Sequence, residues 1–337
     1  MRRERAHPPG EVRRLTLASR VLEGNLLGDP TTRPLEVYLP PGFRAGERLP
    51  LLVDLVGFTG SGLAHTNWRP FTENAPERLD RLIGSGAMAP AVVAFPDCFT
   101  RLGGNQYINS AAMGRYEDYL VQEAVPLVER EFGCGGAGNR GCFGKSSGGF
   151  GAITHAMRRA DFWAAAACHS GDMAFDLVYL ADMPNTLNEL AKHRRSIETF
   201  IKHFEAAKKP TQKETHCLMM LAMAATYDPD PNSFLGIRLP VDLETCALIP
   251  ERWAQWLEHD PVLIAASNVA NLKRLKGLYI DCGSEDQFHL HYGSRRLHQT
   301  LNRLGVRHRY EEFPDDHSSV DYRMDVSLPF LVEALSQ

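Results

Sequence analysis

What this sequence has little of excludes several kinds of protein. Its cysteines, Cys98, Cys134, Cys142, Cys168, Cys217, Cys246 and Cys282, number seven, and none forms a C-x-x-C pair. That pattern encodes neither a disulfide framework nor a zinc site, and the thiols read as small buried hydrophobes in a reducing compartment. Positive charge is not in excess: 37 Lys and Arg stand against 41 Asp and Glu, for a net charge of -4. Such a chain has no broad basic field with which to hold nucleic acid. No apolar run is long enough to span a membrane, and no apolar core follows Arg2, Arg3 and Arg5 to make a secretory signal. Internal repeats and low-complexity stretches are missing too. The expectation is a cytoplasmic protein without a metal, cofactor, membrane or nucleic-acid partner, with self-association left open.

What the sequence does have is enough chain, 337 residues, to bury a full core. Val12 to Ala18 and Pro34 to Leu39 read as strands. The apolar runs Leu49 to Val56 and Ala91 to Phe95 read as strands covered on both faces. Apolar residues at helical spacing from Tyr116 to Phe132 predict a crossover helix, and Phe162 to Cys168 a further strand. From Met173 to Asp260 the rhythm becomes irregular and helical, with stretches such as Asn185 to Ala207 and Lys213 to Ala225. Alternation then resumes: helix Pro261 to Leu272, strand Leu278 to Cys282, helix Ser294 to Leu304, strand Arg309 to Phe313 and helix Val320 to Ser336. Strands alternating with helices imply an α/β protein, a mostly parallel sheet with helices on both faces. The expected organisation is a core of residues 1–172 and 261–337, with 173–260 inserted as a helical cap.

The chain is organised around Gly141 to Ala152, GCFGKSSGGFGA, which carries G-x-S-x-G as Gly144, Ser146 and Gly148. A serine on a sharp strand-to-helix turn is strained, so its neighbours two away must lack side chains. That turn lifts the hydroxyl out of the sheet and aims the first helix amides at a developing oxyanion. The ending Gly144-Lys145-Ser146 also looks like a phosphate loop. That motif needs a glycine five positions earlier, where Asn139 stands, so the phosphate reading fails.

An elbow serine needs a base, and the base an acid to orient it; in α/β-hydrolases they follow in the order serine, acid, histidine, on loops after late strands. The strand Leu278 to Cys282 runs into Gly283-Ser284-Glu285-Asp286, which favours Asp286 as the acid over Asp281 and Glu285. The strand Arg309 to Phe313 runs into Pro314-Asp315-Asp316-His317, which favours His317 as the base. Asp315 and Asp316 read as turn residues, because an immediate neighbour does not easily reach the far ring nitrogen. His289 and His291 alternate on what reads as an extended segment, but two histidines without a third ligand do not make a metal site. His169 is expected to border the pocket. The oxyanion donors are expected to be the N–H of Ser147 and, from the loop after Val56, the N–H of Phe58.

Together these segments resemble the esterase family of α/β-hydrolases that includes the enterochelin esterases, S-formylglutathione hydrolase (esterase D) and the mycolyltransferases. The likeness runs through Ser19 to Asn25, Arg33 to Gly42, Gly57 to Ser61, Phe95-Pro96-Asp97, Gly144 to Gly149, Gly283 to Phe288 and His317. It implies an α/β-hydrolase fold, with Ser146 as nucleophile, Asp286 as acid and His317 as base. Tyr107, in Asn105 to Ser110, matches a tyrosine loop beside the family's pocket, and Gly57 belongs to the loop that meets substrate. One departure is visible: the family's oxyanion loop opens on His-Gly, this chain's on Val56-Gly57. The reading is a serine carboxylesterase acting on a small-molecule ester through an acyl-enzyme. Its alternatives are acyl transfer to an alcohol or thiol, and a non-catalytic binding protein on the same scaffold.

Overall fold

The computed structural model describes residues 6–337, so Arg2, Arg3 and Arg5 lie outside the described residues. Among the described residues ten strands are present: β1 Glu11–Ala18, β2 Thr32–Leu39, β3 Leu51–Leu55, β4 Val92–Pro96, β5 Asn109–Ser110, β6 Gly114–Arg115, β7 Arg140–Lys145, β8 Ala165–His169, β9 Gly277–Gly283 and β10 Arg309–Phe313. Eight of them form one sheet in the order β1-β2-β4-β3-β7-β8-β9-β10, and β5 with β6 makes a small separate ribbon. From β4 to β10 every pairing is parallel; β2 alone runs against its neighbours. This is the α/β-hydrolase fold that the alternating elements predict.

Period-two alternation explains how the central strands are buried on both faces. Leu51, Val53 and Leu55 of β3, Cys142 of β7, Ala166 and Cys168 of β8 and Leu278 and Ile280 of β9 enter one core. That core also holds Tyr119, Leu120, Ala152, Ile153 and Leu297 from crossover helices. Leu52, Phe143, Ala165, Ala167 and Tyr279 turn the other way, onto Leu79 and Leu82 of helix Ala75–Gly84 and Leu328 and Leu331 of helix Met324–Leu335. The strand after β3 pairs on one side of it and β7 pairs on the other. The loops after β3 and β7 therefore part above neighbouring strands and open a crevice at their carboxyl ends, where doubly wound sheets hold their ligands.

Local chemistry moved several element boundaries. The expected single helix from Tyr116 to Phe132 contains a π-helical stretch, Tyr119–Ala124, just before Val125–Phe132. Pro126 lies second in that last segment; it offers no N–H to Gln122 and its ring crowds that carbonyl, and a wider turn relieves both. The strand expected from Phe162 starts at Ala165, because Phe162 and Trp163 both donate backbone N–H bonds to Arg159 in a turn. Pro261 to Leu272 divides into Pro261–Ile264 and Val269–Leu272. Asp260 caps the first piece, and the Asn268 amide takes up the Ile264 carbonyl that ends it.

Between Met173 and Asp260 the chain forms helices Phe175–Val178, Met183–Ala191, Ile197–Ala206, Gln212–Tyr227 and Pro250–Leu257. They share an apolar cluster, with Phe175, Tyr179, Leu221, Tyr227 and Trp256, that also takes in Leu102, Ile108 and Met113 and Phe150 of helix Ser147–Arg158. Among the described residues no helix is long and apolar enough to cross a membrane.

Candidate active site

Ser146 directly follows β7 with φ 58° and ψ −123°, a conformation an L-residue holds only when its surroundings enforce it, at a cost of about 1–3 kcal/mol. The glycines make that turn possible. A Cβ on Gly148 would lie 1.6 Å from the Leu55 carbonyl oxygen, and one on Gly144 2.2 Å from the same atom. Both contacts are far inside van der Waals range, so the elbow can sit against β3 only without side chains there. The turn is pinned by the Ser146 N–H, which donates to the His169 carbonyl at 3.0 Å, and by the Phe150 N–H, which donates to the Ser146 carbonyl at 2.8 Å. Ser146 itself is half-buried. Helix Ser147–Arg158 follows at once, and its first amides have no carbonyl four residues back to bond.

The facing loop leaves β3 at Val56. Gly57 lies against Ser146: a Cβ there would be 3.5 Å from Ser146 Cβ. Thr59, at φ 69°, donates to the Gly103 carbonyl at 2.7 Å, and Gly60 donates to the Gly57 carbonyl at 3.0 Å. The Phe58 ring lies over Gly104, where a Cβ would come within 2.3 Å of it. Among the described residues, the N–H groups of Phe58 and Ser147 donate to no backbone carbonyl. One of these free amides lies in the loop after β3 and the other at the start of the helix after β7.

Asp286 and His317 meet across the loops after β9 and β10. Asp286 Oδ2 lies 2.7 Å from His317 Nδ1, while Oδ1 accepts the Phe288 N–H at 2.9 Å. The His317 backbone N–H donates to Gln287 Oε1 at 2.9 Å. These loops can touch because Gly283 has no side chain: a Cβ there would lie 2.3 Å from the Asp315 carbonyl oxygen. With Nδ1 engaged, Nε2 is the ring atom left for a proton-transfer partner. Among the described residues Ser146 Oγ has no hydrogen bond to the ring; such links are often long before substrate binds and tighten in the reacting complex.

The competing acids have other engagements. Asp281 is buried, and its carboxylate faces His169 Nδ1 at 2.7 Å, Arg323 Nε at 2.9 Å and Tyr279 Oη at 2.9 Å. Burial works against its ionisation, but His169 and Arg323 outweigh burial and hold the carboxyl below its ordinary range. Glu285 points to solvent. Asp315 and Asp316 accept bonds from nearby backbone N–H groups of their own turn.

Two residues expected against substrate are shut away from it, and those expectations are corrected. His169 shares strand parity with Ala165 and Ala167, so its ring enters the face covered by helix Met324–Leu335, with Nε2 2.8 Å from Ser327 Oγ. Tyr107 is buried as well; its hydroxyl donates to the Val56 carbonyl at 2.6 Å, and its ring fills the space left by Gly151. It supports the loop after β3 from beneath. His289 and His291 do not alternate along a strand. His289 is left-handed at φ 63°, just before helix Leu290–Arg303, and His291 stands in that helix's first turn.

Three residues near the site were not anticipated. Gln106, one position before Tyr107, donates from Nε2 to Ser147 Oγ at 2.9 Å. Asp172 lies 3.4 Å from the same hydroxyl. Phe288 sets its edge against His317, ring centres 5.0 Å apart, and stacks on His216 of helix Gln212–Tyr227. The aromatic at the carboxyl end of the acid loop was in view as part of Gly283 to Phe288; nothing in sequence spacing marks Gln106 or Asp172.

A strained serine at the crevice of a parallel sheet, with a carboxylate-bound histidine on the last loops, defines an α/β-hydrolase-fold serine hydrolase. The chain belongs to the family described as "Putative esterase", which matches residues 30–327, and is an ester-hydrolysing enzyme. Among solved structures it is similar to a ferulic acid esterase, at 20% identity over 97% of this chain and 99% of that one, with a TM-score of 0.61. It is also similar to an S-formylglutathione hydrolase from Staphylococcus aureus, at 16% identity over 96% and 99% of the two chains and a TM-score of 0.57. A ferulic acid esterase from Anaeromyces mucronatus gives 14% identity over 99% and 95%, with a TM-score of 0.57. No curated protein matches the sequence.

Proposed function

We propose that the chain is a serine carboxylesterase in which Ser146 is the nucleophile, His317 the general base and Asp286 the acid that orients it. The observation carrying this reading is the 2.7 Å approach of His317 Nδ1 to Asp286 Oδ2, which commits one ring nitrogen and leaves the other basic. His317 Nε2 takes the proton from Ser146 Oγ as the oxygen attacks the ester carbonyl carbon. The amides of Ser147 and Phe58 hold the carbonyl oxygen as it becomes an oxyanion. When the tetrahedral species collapses, the C–O bond to the alcohol breaks and His317 gives that alcohol the proton. Water then enters, loses its proton to His317 and attacks the acyl-enzyme, and Ser146 leaves with the proton restored. The substrate is a small-molecule ester.

Ser146→Ala is expected to abolish release of p-nitrophenol from p-nitrophenyl acetate and labelling by a fluorophosphonate probe, with the thermal melt unchanged, since alanine keeps the Cβ that the turn already accommodates. Wild-type turnover in that variant would end the proposal.

A further inference from the structure

Next to the proposed nucleophile lies a polar group that ester hydrolysis does not use. Asp172 sits in the loop after β8 and is almost wholly buried. Its Oδ2 accepts the Tyr179 hydroxyl at 2.8 Å and the Gln106 amide at 3.1 Å, with the Ser147 hydroxyl at 3.4 Å. All three bonds fall on one oxygen. Among the described residues Oδ1 receives none, yet it is not among the sealed, unpartnered atoms, so it keeps the residue's narrow opening.

Gln106 reinforces the pattern. The residue is fully buried, and its Nε2 faces Ser147 Oγ, Asp172 Oδ2 and, at 2.9 Å, Met223 Sδ. Those three neighbours fix the amide's orientation, because turning it over would set its carbonyl oxygen against a carboxylate. Its Oε1 is therefore a sealed acceptor with no donor. Buried polar groups in folded proteins are nearly always paired, so the open, unpaired Asp172 Oδ1, on a carboxylate that contacts the residue after the proposed nucleophile, marks a place where a donor belongs. Burial raises the Asp172 carboxyl above its ordinary range, against the Tyr179 and Gln106 hydrogen bonds that favour its charged form.

We propose that Asp172, held in place by Gln106 and Tyr179, is an acceptor subsite that selects esters whose acyl chain carries a hydrogen-bond donor, a hydroxyl or an ammonium group, near the scissile carbonyl. The acyl side is chosen because Ser147 joins the two functions: its amide holds the acyl carbonyl oxygen and its hydroxyl touches Asp172. The subsite rests on the reading of Ser146 as nucleophile, since that reading puts the carbonyl within its reach. A site built to hydrogen-bond a substrate group discriminates strongly against the analogue lacking it.

The test compares kcat/KM for p-nitrophenyl butyrate, 3-hydroxybutyrate and 3-aminobutyrate. The wild-type protein is expected to prefer at least one donor-bearing ester by on the order of tenfold or more. Preference for the hydroxyl ester identifies a neutral donor, and preference for the amino ester a cation. Asp172→Leu is expected to bring the ratio of donor-bearing to plain ester close to one, a change that a general loss of packing would not produce. Equal use of all three esters by the wild-type protein overturns the subsite even if the variant does not fold, as does a preference that survives Asp172→Leu. Hydrolysis of the plain ester by Ser146→Ala would instead overturn the nucleophile, so the two failures are told apart.

Discussion

Asp281 and Asp286 stand on one strand and the loop that leaves it, and each holds a histidine at 2.7 Å. Asp281 even completes a serine–histidine–aspartate chain, because His169 reaches Ser327 Oγ at 2.8 Å. What separates the two sets is access and backbone. Ser327 is fully buried in a helix interior, whereas Ser146 is half-buried on a left-handed elbow beside free amides. The Asp281 set is a structural clamp: its partner His169 offers the carbonyl that fixes the Ser146 N–H. Asp286→Asn is therefore expected to lower kcat by orders of magnitude, about 10⁴ in the best-studied triad, while leaving the thermal melt within a few degrees. Asp281→Asn leaves Arg323 and His169 facing a neutral amide and is expected to act mainly on stability, by about 3 kcal/mol or more for a broken buried ion pair. Urea denaturation beside steady-state kinetics on the two variants checks the division, and a larger kcat loss in Asp281→Asn would reverse the assignment.

At the scale of an element, the elbow and the loop after β3 show how far a local motif reaches and where it stops. Gly144, Ser146 and Gly148 were legible in the sequence because the sterics that demand them act within a few residues and against the strand alongside. Apolar strands such as Leu51–Leu55 and Val92–Pro96 were legible because burial on both faces leaves almost no polar positions, Asp54, which pairs with His65, being the exception. The direction of Tyr107 was not legible. It depends on a left-handed φ of 61° and on the gap at Gly151, both products of the tertiary structure. Its hydroxyl now supports the Val56 carbonyl immediately before Gly57 and Phe58. Tyr107→Phe would strand that buried carbonyl, at a cost of about 1–3 kcal/mol, and loosen the amide that faces the oxyanion. The expected result is a fall in kcat of roughly ten- to a hundredfold with KM little changed, since an oxyanion contact is made chiefly in the transition state. A KM effect with kcat intact would place Tyr107 against substrate after all.

For the whole molecule, the outcome turns on how the helices between Met173 and Asp260 meet the sheet core, and here too sequence spacing ran out. Asp172 finds Gln106 and His216 finds Phe288 only when distant segments close over the crevice. One seam in that closure is set by His259. Its Nδ1 lies 3.1 Å from Arg158 of the elbow helix, and its ring packs beside Tyr227, the last residue of helix Gln212–Tyr227. Burial, with Arg158 nearby, pushes the His259 imidazole down to about 4 from an ordinary 6.5. Its folded pKa is thus the lower one, so between those values the unfolded chain binds more protons. The stability this group contributes is complete above about pH 6.5 and is lost as the pH falls towards 4. The full shift corresponds to at most about 3 kcal/mol, less to the extent that water reaches the half-buried ring. His155, buried between Tyr107 and Trp163 and likewise lowered chiefly by burial, works in the same direction. Urea midpoints between pH 7 and pH 4 are therefore expected to fall more steeply for the wild-type protein than for His259→Gln, which keeps a polar partner for Arg158 but cannot titrate. Parallel pH profiles for the two proteins would show that protonation at this seam does not govern the acid limit of the fold.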